Sequence, residues 1–160
     1  MSPDLSLRAA GAVDSELLLR WRNEPSTREQ FFDSGEVEPA AHERWLARKL
    51  AAANETRLFI LEADGRPVGQ ARVDATGAGF GEISVSLDPT ARRRGLGREL
   101  ITRSTARAAA ELGLDAIRAK IKDTNAASRR AFAASGYTDE APTGDEEDGI
   151  VVLRWSRRVT

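Results

Sequence analysis

The sequence predicts a mixed α/β fold, with about seven strands in one mostly antiparallel sheet and about four flanking helices. Three observations predict it. Residues 58–87 read as a meander of short alternating runs joined by turns, which makes those strands antiparallel neighbours. Residues 82–121 read as strand, long helix, strand, and such a crossover joins parallel strands. Outside these, helical and strand periodicities alternate without an internal repeat, a low-complexity tract or a linker. Residues 1–160 are therefore expected to form one domain.

The elements follow in order. Leu5 to Ala9 alternates as a short strand. Asp14 or Ser15 caps a helix from Glu16 to Arg22 with Leu17, Leu18 and Trp21 on one face. Pro25 stops it, because the residue before proline disfavours the helical region. Thr27 to Val37 is irregular and reads as a short helix or loop. Pro39 suits the first turn of a helix to about Ala53, striped by Trp45, Leu46 and Leu50. Leu58–Glu62 and Pro67–Asp74 are strands joined at Asp64-Gly65, a pair that supplies positive φ angles. Glu82–Leu87 is the next strand, and the helix beyond it ends at Gly113. Ala116–Ile121 is a strand, Ala126–Ser135 a helix closed by Gly136, and Tyr137 begins another strand. The acid-rich segment Asp139–Asp148 reads as an exposed loop, and Ile150–Trp155 is the closing strand.

Composition narrows the function classes. A net charge of −1 gives no whole-molecule field for nucleic acid or an anionic membrane. With no cysteine and the single histidine His42, thiolate chemistry, disulfides and multi-histidine metal sites are excluded. No apolar run approaches a membrane span, and the N-terminus lacks the pattern of a signal peptide, so a cytoplasmic location is expected. A small molecule is the expected partner, and a homodimer is compatible with the sequence.

The most informative stretch is Leu87-Asp88-Pro89-Thr90-Ala91-Arg92-Arg93-Arg94-Gly95-Leu96-Gly97-Arg98, where a strand passes through a glycine- and arginine-rich turn into a long helix. Glycines let backbone approach a ligand. The helix start presents unpaired N–H groups and partial positive charge, which suits a phosphate or diphosphate. The third glycine of a dinucleotide fingerprint is absent, since Leu100 stands there, and so is the Gly-Lys-Ser/Thr of a P-loop. What remains is Arg-x-x-Gly-x-Gly, Arg92 to Gly97. Alone, it is equally an arginine-rich surface turn.

A second stretch, Asn125-Ala-Ala-Ser128-Arg-Arg-Ala-Phe132-Ala-Ala-Ser-Gly136-Tyr137, puts Asn125, Ser128 and Phe132 on successive turns of one helix face. Together with Arg92–Gly97 at this separation, the chain resembles the GNAT superfamily of acetyl-CoA-dependent N-acetyltransferases. The resemblance spans nearly the whole chain in element order and is most specific from Glu82 to Tyr137. It implies a splayed parallel pair of central strands with the acyl arm of acetyl-CoA entering the gap. Backbone amides around Arg93, Arg94, Gly95, Leu96, Gly97 and Arg98, in the turn opened by Arg92, would bind the diphosphate. The backbone of Val85, Ser86 and Leu87 would pair with the pantetheine arm. Asn125 would contact that arm, and Ser128 and Phe132 would line the coenzyme side of the last helix. Two departures stand out. Many members carry a tyrosine where Phe132 stands, and Phe132 has no proton for the leaving thiolate. Some protein-acetylating relatives carry a glutamate base where Lys120 stands.

Acyl transfer to an amine needs the amine neutral, so a base is required. Along Glu82–Leu87 the residues Ile83, Val85 and Leu87 take one face, and Glu82, Ser84 and Ser86 the other. That polar stripe suggests a wet groove for a polar substrate. Glu82 is the preferred base, directly or through water, with an ordinary surface acid as the plainer reading. His42 is the rival, against the plainer reading of a helix-surface histidine near Trp45. The Val85–Leu87 amides are candidate donors to the oxyanion. Short likenesses at Leu19–Asn23, His42-x-x-Trp45 and Glu82–Asp88 resemble GNAT enzymes that acetylate nucleotide-linked amino sugars, and also ribosomal-protein N-terminal acetyltransferases. They mark Trp21, Asn23, His42, Glu82 and Ser84 as acceptor contacts, although tryptophans at such positions are commonly core. The expected reaction is acetylation of an amino sugar or similar polar amine. A protein N-terminal or lysine acetyltransferase and a coenzyme-binding module without turnover stand as alternatives.

Overall fold

The computed structural model describes residues 2–142, 144 and 148–158. Seven strands form one sheet: β1 (Leu5–Ala9), β2 (Thr56–Ala63), β3 (Arg66–Gly77), β4 (Phe80–Leu87), β5 (Ala116–Lys122), β6 (Thr138–Asp139) and β7 (Ile150–Ser156), in the spatial order β1-β2-β3-β4-β5-β7-β6. All neighbours pair antiparallel except β4 and β5, which are parallel, as the crossover requires. The helices are α1 (Ser15–Asn23), α2 (Pro25–Arg28), α3 (Pro39–Ala51), α4 (Leu96–Leu112) and α5 (Ala126–Ala134). The mixed fold expected from the sequence is thus the fold observed.

Two elements differ from expectation. Pro25 ends α1, but its fixed φ also starts the single turn α2, whose first N–H groups are met by the Glu24 carboxylate at Thr27 N (3.0 Å). The strand after Gly136 is only the pair Thr138–Asp139, because Tyr137 turns into the core at 2 % exposure. The acid-rich segment is described only in part: residues 143 and 145–147 lie outside the described residues, while Glu140 takes Arg118 at 2.9 Å and Arg154 at 3.6 Å.

The helices cover two faces. α4 packs one of them: Leu96 and Leu100 join Leu61, Val68 and Ala71, while Ile101, Ala108 and Ala109 join Phe59, Val73, Ile83 and Ile117. Fully burying one such Leu or Ile contributes about 1.5–3 kcal/mol. α1 and α3 cover the other face with Leu18, Trp21 and Leu46, against Leu58 and Ile60 of β2. β2 is therefore apolar on both sides. Across β3 and β4 the α4 side stays apolar, but the α1/α3 side becomes Gln70, Arg72, Ser84 and Ser86, which line a groove under those helices. This change from apolar to polar across one sheet face makes the pocket. Among the described residues no helix is long and apolar enough to cross a membrane.

Candidate active site

β4 and β5 pair only at Phe80–Glu82 against Ala116–Arg118 and then part. From Ile83 to Leu87, β4 has β3 on one edge and a gap on the other. The ladder fixes which peptides face the gap. Asp88 N–H donates to the Val68 carbonyl at 2.8 Å, so Asp88, Ser86 and Ser84 bond inward to β3. Alternation then turns the peptide groups of Ile83, Val85 and Leu87 outward. Of the three backbone positions expected to pair with a pantetheine arm, Val85 and Leu87 face the gap and Ser86 faces β3.

The gap opens onto the arginine-rich turn. Asp88 shapes its entry: Oδ1 accepts from Thr90 N (3.0 Å) and Thr90 Oγ1 (2.6 Å), and Oδ2 from Trp21 Nε1 (2.8 Å). Burial pushes the Asp88 carboxyl up, but these donors outweigh it and hold it below the usual range. After a single 3-10 turn, Pro89–Ala91, the backbone enters the left-handed region at Arg93 (φ 65°) and Gly95 (φ 74°). α4 begins at Leu96 with no side-chain cap. The amides of Leu96, Gly97 and Arg98 thus lack intrahelical acceptors. Leu96 is buried and anchors the turn, while Arg93, Arg94 and Arg98 are exposed and pair with no carboxylate among the described residues. These helix-start donors, with three guanidinium groups that pair with no carboxylate among the described residues, fit a coenzyme's phosphates.

Arg92 is different. Its guanidinium turns from the turn's mouth to α2, donating to Ser26 Oγ (2.5 Å) and Thr27 Oγ1 (3.0 Å) and lying 3.4 Å from Glu24 Oε2. It braces the turn rather than offering itself to a ligand. The Ser26 hydroxyl (2.5 Å) and the Thr27 N–H hold Glu24 down at about 2 from its ordinary 4.5. A carboxyl depressed on folding adds stability above its unfolded value and loses it as pH falls through the folded one. Stability contributed by Glu24 should therefore disappear between about pH 4.5 and 2. Urea melts of wild type and Glu24→Gln should differ at pH 6 and converge near pH 2; a gap that persists at low pH would contradict the assignment.

Across the gap, Asn125 caps α5 through Oδ1, which accepts from Ser128 N at 3.1 Å, leaving its amide nitrogen without a protein partner among the described residues. Ser128 is half-buried one turn on. Phe132 is 2 % exposed and meets Tyr137 edge-on at 5.0 Å, so its ring belongs to the core beneath the gap rather than to the gap's wall. Tyr137 bonds Thr105 Oγ1 at 2.7 Å, and burial pushes its phenol well above its ordinary value.

On the α1/α3 face lies a cavity of about 290 Å³ lined by Ser84 and Ser86 of β4, Gln70 and Arg72 of β3, His42 and Trp45 of α3, Arg22 of α1, and Phe31 and Val37 of the connecting segment. Gln70 Nε2 donates to Ser86 Oγ at 2.9 Å. His42 is 4 % exposed, not a surface residue; its Nδ1 is buried without a partner, and burial pulls its pKa down, so the ring is neutral near pH 7. Arg72 lies 5.4 Å from the Trp45 ring, and its Nε donates to Asp74 at 2.8 Å. Burial pushes Asp74 up, but Lys49, Arg72 and Thr56 outweigh it and hold it ionised. Arg22 stacks over Phe31 at 4.2 Å and donates to the Asp33 carbonyl at 2.8 Å.

Three expected acceptor contacts therefore sit differently. Ser84 and His42 line the cavity. Asn23 does not; its side chain clasps both backbone groups of Val37 (2.7 and 2.8 Å) and so sets that wall. Trp21 is 2 % exposed, a core residue whose indole N–H ties α1 to Asp88. Glu82 shares the face of Ser84 and Ser86 but stands at the closed end of the gap, 3.7 Å from Lys120 and 40 % exposed. Arg22, Gln70, Arg72 and Phe31 were not anticipated. The alternation Gln70-Ala71-Arg72-Val73-Asp74 did carry a signal, because its polar members mark a wet face.

A family model described as Acetyltransferase (GNAT) domain matches residues 4–138. No curated protein sequence matches the chain. Among solved structures, RimL, the ribosomal L7/L12 α-N-protein acetyltransferase in complex with coenzyme A, has a TM-score of 0.80 at 12 % identity, covering 95 % of this chain and 93 % of that one. The yncA protein from Salmonella typhimurium with its cofactor acetyl-CoA has a TM-score of 0.79 at 20 % identity, covering 98 % and 97 %. Spermidine N-acetyltransferase from Vibrio cholerae, with CoA and spermine, has 0.81 at 18 % identity, covering 94 % and 92 %. These likenesses are of fold. The family match runs from just ahead of β1 to the first residue of β6, taking in the gap, the turn and the helix that leaves it, and by it the chain belongs to the GNAT family of acetyltransferases.

Proposed function

We propose that the protein transfers the acetyl group of acetyl-CoA to a primary amine of a small polar acceptor, an amino sugar or a compound of similar polarity. The observation that carries this is the position of the β4–β5 gap. It starts at the donor-rich turn and runs beside the strand whose other face floors the cavity. Acetyl-CoA, present in the yncA structure and as coenzyme A in those of RimL and spermidine N-acetyltransferase, supplies an activated acyl group. The amides of Arg93 to Arg98 hold the phosphates, and Asn125 Nδ2 faces the arm from α5. Val85 and Leu87 pair with the arm as a neighbouring strand would, and the gap-facing amides donate to the acyl oxygen as it gains charge.

Glu82 is the base in this reading. It is the same-face neighbour of Ser84, about 7 Å along the strand, so its carboxylate reaches an amine in the cavity through a water. His42, neutral and facing the cavity, is a contact for the acceptor.

Acetyl-CoA should raise the melting temperature, and coenzyme thiol should be released when small polar amines are added. Release with N-terminal peptides alone would move the activity to protein acetylation. A thermal shift with no release across a broad panel would leave only a coenzyme-binding module.

A further inference from the structure

The charge in the cavity selects among amines. Its lining holds two guanidinium groups and no carboxylate among the described residues. Each guanidinium is set over an aromatic ring, Arg22 over Phe31 and Arg72 over Trp45, which fixes a planar cation in place. The nearby acids are already engaged. Asp74 Oδ1 takes Lys49 Nζ (2.9 Å) and Thr56 Oγ1 (2.8 Å), and its Oδ2 takes Arg72 Nε (2.8 Å). Asp33 Oδ1 turns back to the Gly35 N–H at 3.1 Å. Arg22 pairs with no carboxylate among the described residues; it spends its terminal nitrogens on the carbonyls of Asp33 and Gly35, leaving Nε free. The terminal nitrogens of Arg72 have no hydrogen-bond partner among the described residues either. His42, neutral, adds no negative charge.

We propose, on the acetyl-transfer reading above, that the cavity takes a small amine that also carries an anionic group, a carboxylate or a phosphate, gripped by Arg72 and Arg22. Two consequences of one field support each other. Fixed cations attract the anion and reject polycations such as polyamines. They also disfavour the ammonium form of the acceptor, so the amine is bound closer to the neutral state that attacks. The volume, about 290 Å³, suits an acceptor of amino-acid or monosaccharide size, and the Trp45, Phe31, Leu18 and Leu58 walls suit one with an apolar part.

The test uses matched pairs with saturating acetyl-CoA: phenylalanine against phenylalaninamide, and glucosamine 6-phosphate against glucosamine, with spermidine and kanamycin as polycations. The anionic member of at least one pair should have a kcat/KM tenfold or more above its neutral partner, and the pair that shows it identifies carboxylate or phosphate. Arg72→Gln should bring that ratio to within about threefold while the neutral member is still acetylated. Arg22→Gln, which also loosens the Asp33–Gly35 segment, serves as a second variant with its fold checked by circular dichroism. Neutral or polycationic amines preferred over the anionic members, or a ratio unmoved in both variants, would overturn the inference and leave acetyl transfer standing. If no amine releases thiol, calorimetry of the same pairs on the coenzyme-loaded protein decides. Tighter binding of an anionic member supports the inference although the transfer reading has failed, and equal binding overturns it.

Discussion

Glu82→Gln is expected to lower kcat by about a hundredfold or more, the range a positioned general base contributes. A carboxylate takes a proton and a carboxamide does not, so glutamine keeps the shape and removes the base. The fold should not suffer. The side chain is 40 % exposed and its one ion pair among the described residues is with Lys120 at 3.7 Å, an exposed pair worth about 0–1 kcal/mol. The melting temperature and the KM for acetyl-CoA should therefore stay close to wild type while kcat falls. An unchanged kcat would remove Glu82 as the base, and the parallel His42→Gln variant would then test the rival.

The second large effect separates two glycines two residues apart. Gly95 has φ 74° and open space around the position of a Cβ, so a side chain there meets no atom but a forbidden backbone. Gly95→Val should cost about 1–2 kcal/mol through the left-handed conformation. The chain relieves that strain by rotating the amides of Leu96 to Arg98 off their common target. The KM for acetyl-CoA should rise tenfold or more, with kcat at saturation retained. Gly97 has an ordinary helical conformation, and a Cβ there would lie 3.6 Å from both Leu87 and Ala131. In a helix alanine is favoured over glycine by about 0.8–1 kcal/mol, so Gly97→Ala should melt no lower than wild type. Its methyl nevertheless stands between the end of β4 and α5 and narrows the gap there, so on the proposed reading it too should raise the KM. A Gly95→Val enzyme with wild-type stability and KM would show that the turn's backbone does not hold the coenzyme.

The local shape of the turn and of the α5 cap was legible because its information is local. Glycine at a left-handed position, a helix without a side-chain cap and an asparagine one turn before a serine are read from short runs of sequence. The parallel pair was legible from the crossover alone. The cavity on the α1/α3 face was not, since it joins Arg22, Phe31, His42, Gln70, Arg72 and Ser84, which no sequence spacing relates. Trp21 and Asn23 were drawn toward the acceptor by their neighbours in sequence. Helix geometry instead turns Trp21 into the core and spends Asn23 on Val37. The brace from Arg92 to α2 was hidden for the same reason, as its partners lie 65 and 66 residues away.

The burial of Phe132 and Tyr137 has a chemical corollary. Tyr137 is the chain's one tyrosine, and there is no cysteine. With its hydroxyl held by Thr105 under the sheet, no phenol reaches the sulfur that departs in acyl transfer. A thiol has an ordinary pKa of about 8.5, so near neutrality the sulfur is a competent nucleofuge and collects its hydrogen from solvent. Turnover should climb with alkalinity and then level off, with no descending branch from an acid that must stay protonated.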